Sequence, residues 1–89
     1  MTPKPFTLID ALDILNPAKA ERMRSARCME LVTELIGRAQ TESAAASLEL
    51  PDAALHRDRA RVYLAEAEAM LQDANVHGSR AQRLEGLRT

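Results

Sequence analysis

Ala60, Ala67 and Ala74 recur every seven residues. Large apolar residues follow three and four positions on: Tyr63 and Leu64 after Ala60, Met70 and Leu71 after Ala67. On a helix these offsets share one face, so the pattern lays down a row of small side chains flanked by large ones. A row of alanines lets a neighbouring backbone come close, and the flanking side chains interlock around it. A segment patterned this way is specified to hold a second helix. The rest of the composition agrees. Ala, Leu, Arg and Glu dominate, all strong helix formers. Residues that favour strands are scarce, with one Phe, one Tyr and no Trp.

Capping signals divide the chain. Residues 1–6 contain Pro3 and Pro5 and are expected to form a flexible tail. Thr7 and Asp10 form a capping-box pair that opens a short helix, with Leu8, Leu12 and Leu15 on one face and an end near Asn16. Asn16-Pro17 is a cap followed by proline at the first helical position. From it the sequence predicts a long helix to about residue 47, with Cys28, Met29, Leu31, Val32, Leu35, Ile36 and Ala39 inside an arc of about 160°. Leu50-Pro51-Asp52 interrupts the chain. A third helix should then run to about Val76, where Gly78 reads as a stop. Ser79 and Gln82 fit the cap of one last short turn. The organisation read from these signals is a tail (1–6), a single helical domain (7–77) and a short helical or disordered basic tail (78–89) with Arg80, Arg83 and Arg88.

A short turn near residue 50 makes the long helices antiparallel neighbours, with facing residue numbers summing to about 99. Ile36 then meets Tyr63, Val32 meets Ala67 and Cys28 meets Leu71. The expected helix–helix seam comprises Met29, Val32 and Ile36 with Ala60, Tyr63, Leu64, Ala67, Met70, Leu71 and Ala74. Charge favours the same orientation. Residues 17–29 carry Lys19, Arg22, Arg24 and Arg27 against Glu21 alone, and residues 66–76 carry Glu66, Glu68 and Asp73 with no base. Arg57, Arg59 and Arg61 stand beside the acidic stretch before the turn. Exposed pairs contribute about 0–1 kcal/mol each, so these charges choose direction more than they supply stability. The expected fold is all-α: an antiparallel, coiled-coil-like two-helix hairpin with a short N-terminal helix packed on it, a three-helix architecture able to dimerise into a four-helix bundle.

A second apolar stripe, Leu55, Val62, Ala69 and Val76, runs along the third helix away from the alanine row. Either the N-terminal helix covers it or another protein chain does. The first reading makes the stripe part of the core, and the second makes it the partner-binding site.

Composition narrows the function classes. The formal charge of −1 lacks the basic excess typical of nucleic-acid or acidic-membrane binders. Only Arg57 and Arg61 share a helix face, and no free aromatic stands beside them to stack on bases. A nucleic-acid-associated regulator is therefore the weaker alternative. No apolar run approaches the roughly 20 residues of a membrane span, so no membrane insertion is expected. Met1-Thr-Pro-Lys-Pro lacks a hydrophobic signal core. With the single Cys28 excluding an internal disulfide, a reducing, cytoplasmic setting is expected. Ten arginines against two lysines and abundant alanine fit a bacterial, GC-rich coding sequence.

Catalytic patterns are absent. Cys28 lies on the buried arc, where a structural thiol is expected. His56 and His77 stand 21 residues apart on one helix, too far to share a metal, and no ligand cluster has zinc spacing. Glu30/Glu34 and Glu66/Glu68 lie on solvated faces without a shielding pocket. Three scattered glycines build no phosphate loop. No cofactor, no metal and no enzymatic activity are expected. The reading is a protein–protein interaction module (an adaptor, co-chaperone or assembly subunit) whose partner is another protein or a second copy of itself. In architecture alone the expected hairpin resembles the small helical partner proteins of bacterial secretion systems, which shield aggregation-prone helices of other components.

Overall fold

The computed structural model describes residues 5–48 and 51–87. Three helices follow one another: α1 (Leu8–Leu15), α2 (Pro17–Ala46) and α3 (Ala53–Gly86). Of the expected N-terminal tail only Pro5 and Phe6 are described, and Leu50 and Arg88 lie outside the described residues.

The start signals act as the sequence suggests. The Thr7 hydroxyl accepts from the Asp10 N–H while the Asp10 carboxylate accepts from the Thr7 N–H, closing a capping box on α1. The Asn16 side chain caps α2 by accepting from the Lys19 N–H, with Pro17 at the first helical position. Asp52 is the N-cap residue of α3 but makes no side-chain capping bond; its carboxylate turns to His56 instead.

α2 and α3 pack against each other along their lengths, and α1 touches α2 alone among the described helices. The seam is built from two seven-residue rows. α3 contributes Ala53, Ala60, Ala67, Ala74 and Ala81, all buried. α2 contributes Ala18, Ser25, Val32, Ala39 and Ala46, buried except for the half-buried Ser25. The rows run oppositely in a register where facing numbers sum to 99. The Ser25 hydroxyl marks it directly, donating to the Ala74 carbonyl at 2.9 Å. Small residues at these positions allow the close backbone approach that this contact needs.

α3 does not stop at Gly78. It continues through Gly86, so the expected break, and the separate short turn capped by Ser79, are replaced by about two further turns of one helix. A Cβ on Gly78 would meet only the Ser25 hydroxyl, at 3.7 Å, so the glycine faces α2 across the seam. A glycine inside a helix costs about 1 kcal/mol relative to alanine. Burial of Ala81 against the Ala18 end of α2, with a bidentate Arg22–Glu85 pair beyond it, offsets that cost.

α1 does not cover the Leu55, Val62, Ala69, Val76 stripe. It lies against the back of α2, where Ile9 borders Met23, Ala26, Arg27 and Glu30, and Arg24 clamps Asp13 through two hydrogen bonds of 2.5 and 2.8 Å. Only Asn16 separates α1 from α2, which holds α1 beside its own neighbour. The molecule is a layer of 57 × 38 × 14 Å. A helix with side chains is about 10–12 Å across, so the layer is one helix thick. Among the described residues, every buried one other than Val32 is an alanine, and no large side chain is fully enclosed.

Candidate interaction surface

Polar groups occupy the edge of the seam at both ends. His56 and His77 lie three residues beyond Ala53 and Ala74, and Glu42 and Glu21 three residues beyond Ala39 and Ala18. The antiparallel register brings them together as His56–Glu42 near the turn and His77–Glu21 near the chain ends. His56 binds a carboxylate on each ring nitrogen: Glu42 at Nδ1 and Asp52 at Nε2, the latter at 3.0 Å. Both nitrogens can donate together only when the ring is protonated, so this arrangement favours the imidazolium. The Glu42 hydrogen bond accordingly raises the His56 pKa above its ordinary value. At the other end a chain of contacts crosses all three helices. His77 Nδ1 meets Glu21 at 2.6 Å, Arg24 donates to Glu21 at 2.9 Å, and Arg24 also holds Asp13 of α1. The hydrogen bond from Arg24 pulls the Asp13 pKa below the usual carboxylate range, and Arg22 does the same to Glu85.

A layer one helix thick has two broad faces. On one, Ile36, Gln40 and Ser43 of α2 stand beside Leu64 of α3 over the buried Ala39 and Ala60. Met29 and Leu71 continue this face. Met29, Ile36, Leu64 and Leu71 are each between 40% and 52% exposed, although all four were expected inside the seam. They flank the alanine rows, because backbones brought together by alanine leave no room for large side chains between them. On the opposite face, Leu31 and Leu35 of α2 and Ala69 and Met70 of α3 line a shallow groove of about 480 Å³, bordered by Glu34, Arg38 and Glu66. A second depression joins it through Glu66, lined also by Asp58, Arg59, Val62 and Tyr63. Leu55, Val62 and Val76 are about half exposed and Ala69 is exposed. The stripe is therefore open, and it lies along the outer edge of this second face.

Of the other seam residues, Val32, Ala60, Ala67 and Ala74 are buried, and Tyr63 and Met70 are half-buried. Cys28 is a free thiol, half-buried, and the register sets it level with Leu71. The charge matching behaves differently from expectation. Among the described residues, Glu66, Glu68 and Asp73 pair with none of the bases of residues 17–29, and Arg57 and Arg59 join no ion pair. Of those bases Arg22, Arg24 and Arg27 are instead engaged by Glu85, Asp13, Glu21 and Glu30. The reason is angular: Glu66, Glu68 and Asp73 project from the flanks of α3, and the open layer leaves them in water. Ser25, the two His–Glu pairs and Asp13–Arg24 went unread in the sequence. The first three had a signal, since each pair sums to 98 or 99. Asp13–Arg24 had none, because it depends on how α1 turns back at Asn16.

No group of three His, Cys, Asp or Glu side chains able to hold a metal occurs among the described residues, and no described helix is long and apolar enough to cross a membrane. No family model, curated protein or solved structure matches the chain.

Proposed function

We propose that this chain is a non-enzymatic protein–protein interaction module, acting as an adaptor, co-chaperone or assembly subunit that docks a helix of a partner protein. The supporting observation is the open second face: Leu55, Val62, Ala69 and Val76 run along α3 beside the groove lined by Leu31, Leu35 and Met70. An amphipathic helix laid there would bury its apolar side on these residues, with its polar flanks against Glu34, Arg38 and Glu66. Apolar burial contributes about 25 cal/mol per Å², so a few such side chains supply most of the affinity and the charged border supplies orientation.

Val62→Asp is the test. The native partner is identified by affinity purification from the source cells and its affinity measured with purified components. The variant should bind at least tenfold more weakly while its circular dichroism stays that of the parent. A partner held as tightly by the variant would refute this site, and a collapse of helicity would assign Val62 to the fold instead.

A further inference from the structure

The Met29, Ile36, Leu64, Leu71 face is separate from the stripe proposed for a partner, and its charge pattern is its own complement. Its central stretch carries few charges. On α2, the residues turned this way between Ala26 and Ser43 are Ala26, Met29, Thr33, Ile36, Gln40 and Ser43, none of them charged. The Thr33 hydroxyl is already satisfied by the Met29 carbonyl at 3.1 Å. On α3 the matching stretch holds Arg57, Arg61 and Glu68 beside Leu64 and Leu71. Glu68 is in no ion pair among the described residues, and Arg61 reaches only Asp58, loosely, at 3.6 Å with both side chains over 70% exposed. The opposite face differs: its apolar groove is bordered by charges of both α2 and α3, among them Glu34, Arg38 and Glu66.

Arg61 and Glu68 lie seven residues apart on one side of α3, too far to meet within the helix. A second copy turned about a two-fold axis over the midpoint of these two residues brings Arg61 against Glu68 of the other copy, and the reverse, in two equivalent pairs. The midpoint falls next to Leu64, and the hairpin register puts the same level of α2 between Glu34 and Leu35. Leu64 and Ile36 of both copies then sit within about 3 Å of the axis along the helices, and Met29 and Leu71 within about 10 Å. Eight apolar side chains cluster about the axis, and the two charge pairs flank them about 5 Å from it along the helices. Arg57 falls level with Leu71 and Gln72 of the other copy, so no like charges oppose. The overlapping stretch is about 24 residues, or about 36 Å. Two helices about 9 Å apart make it about 20 Å wide. That gives roughly 700 Å² per copy, close to the roughly 800 Å² of a standard stable interface. α1 packs on the back of α2 and meets this face only at its edge, where Ile9 borders Ala26.

We infer that the Met29, Ile36, Leu64, Leu71 face is the dimer interface of this protein, closing two hairpins into an antiparallel four-helix bundle whose register is set by reciprocal Arg61–Glu68 pairs. The outer stripes of both copies stay exposed, so the dimer offers two equivalent partner sites. The inference does not rest on the partner-binding reading, which concerns the other face.

Sedimentation equilibrium of the purified full chain tests it. Twice the chain mass of 9.8 kDa is expected. Arg61→Glu and Glu68→Arg should each weaken dimerisation at least tenfold, since each replaces two attractions by two repulsions, and the double exchange should restore it. Circular dichroism on the same samples keeps folding separate from association. Leu64→Cys should form a disulfide between its two copies under mild oxidation, identified by peptide mass. A monomer at all concentrations overturns the inference, including one that binds a different protein through Ile36 and Leu64. A dimer indifferent to the single reversals, or single losses that the double exchange does not repair, overturns it equally.

Discussion

The seam and the broad faces of this molecule use the same kinds of residue in opposite ways. Between α2 and α3 the enclosed side chains are alanines, one valine and, half-buried, one serine. On the faces, leucine, isoleucine, methionine and valine stand in water. In most helical domains the large residues fill the core and the small ones lie outside it. Here the close approach of two backbones is the organising contact, and the large side chains are displaced to its margins. The hairpin is thereby given a definite register without a thick core. What remains is a surface with more apolar material than a monomer needs, which is why the faces and not the seam carry the proposed interactions.

The sharpest way to break this contrast is to enlarge one seam residue. Ala67→Leu should destabilise the fold by about 2–3 kcal/mol, because the added methylenes have no space between the backbones. Urea unfolding at fixed protein concentration would measure it as a lower midpoint with unchanged slope. A loss below about 1 kcal/mol would mean that the seam opens easily and that the alanine row is not what holds it. Adding a methyl group away from the seam should do the reverse. A Cβ on Gly37 would meet nothing within 4 Å. Gly37→Ala should therefore raise stability by about 0.5–1 kcal/mol through lower unfolded-state entropy and better helix propensity. The same unfolding experiment reads it, and a destabilisation would show that the outer side of α2 is covered by something.

The edge of the seam responds to pH. His56 is held above its ordinary pKa of 6.5 by Glu42, so it binds its proton more tightly folded than unfolded. Its contribution is fully present below that value and is lost as pH rises through the higher folded pKa. The gap in melting temperature between the parent and His56→Gln should be wider at about pH 5.5 than at about pH 9. A gap independent of pH would remove the imidazolium from the turn end of the seam. Asp13 and Glu85 act in the opposite sense. Their pKa values are lowered by Arg24 and Arg22, so their contribution is present above the ordinary carboxylate values and is lost as pH falls through the folded ones.

Much of the fold was legible because its signals are local. Thr7 with Asp10 and Asn16 with Pro17 set two helix starts through bonds spanning three residues. The alanine period set the seam, and the short turn set its direction. Gly78 misled because a glycine weighs against a helix only when nothing else favours continuing it, and here Ala18, Ser25 and Arg22 on a distant stretch do. Ala53 and Ala81 extend the same seven-residue row, yet one follows a proline turn and the other follows that glycine, so local rules hid them. The sequence named the stripe but left both readings of it standing, since Leu8, Leu12 and Leu15 could serve α2 or α3 equally well.

Periodicity, caps and helix propensity act over a few residues, so the chain by itself determined three helices, the row of small residues and an antiparallel hairpin. Which surfaces stayed open depended on contacts between residues far apart in sequence. Arg24 drawing Asp13 onto α2, and Arg22 and Ala18 carrying α3 past Gly78, made a flat layer with both faces free. Tertiary structure alone decided that, because where α1 comes to rest is a competition between neighbouring surfaces that only the assembled helices present to one another.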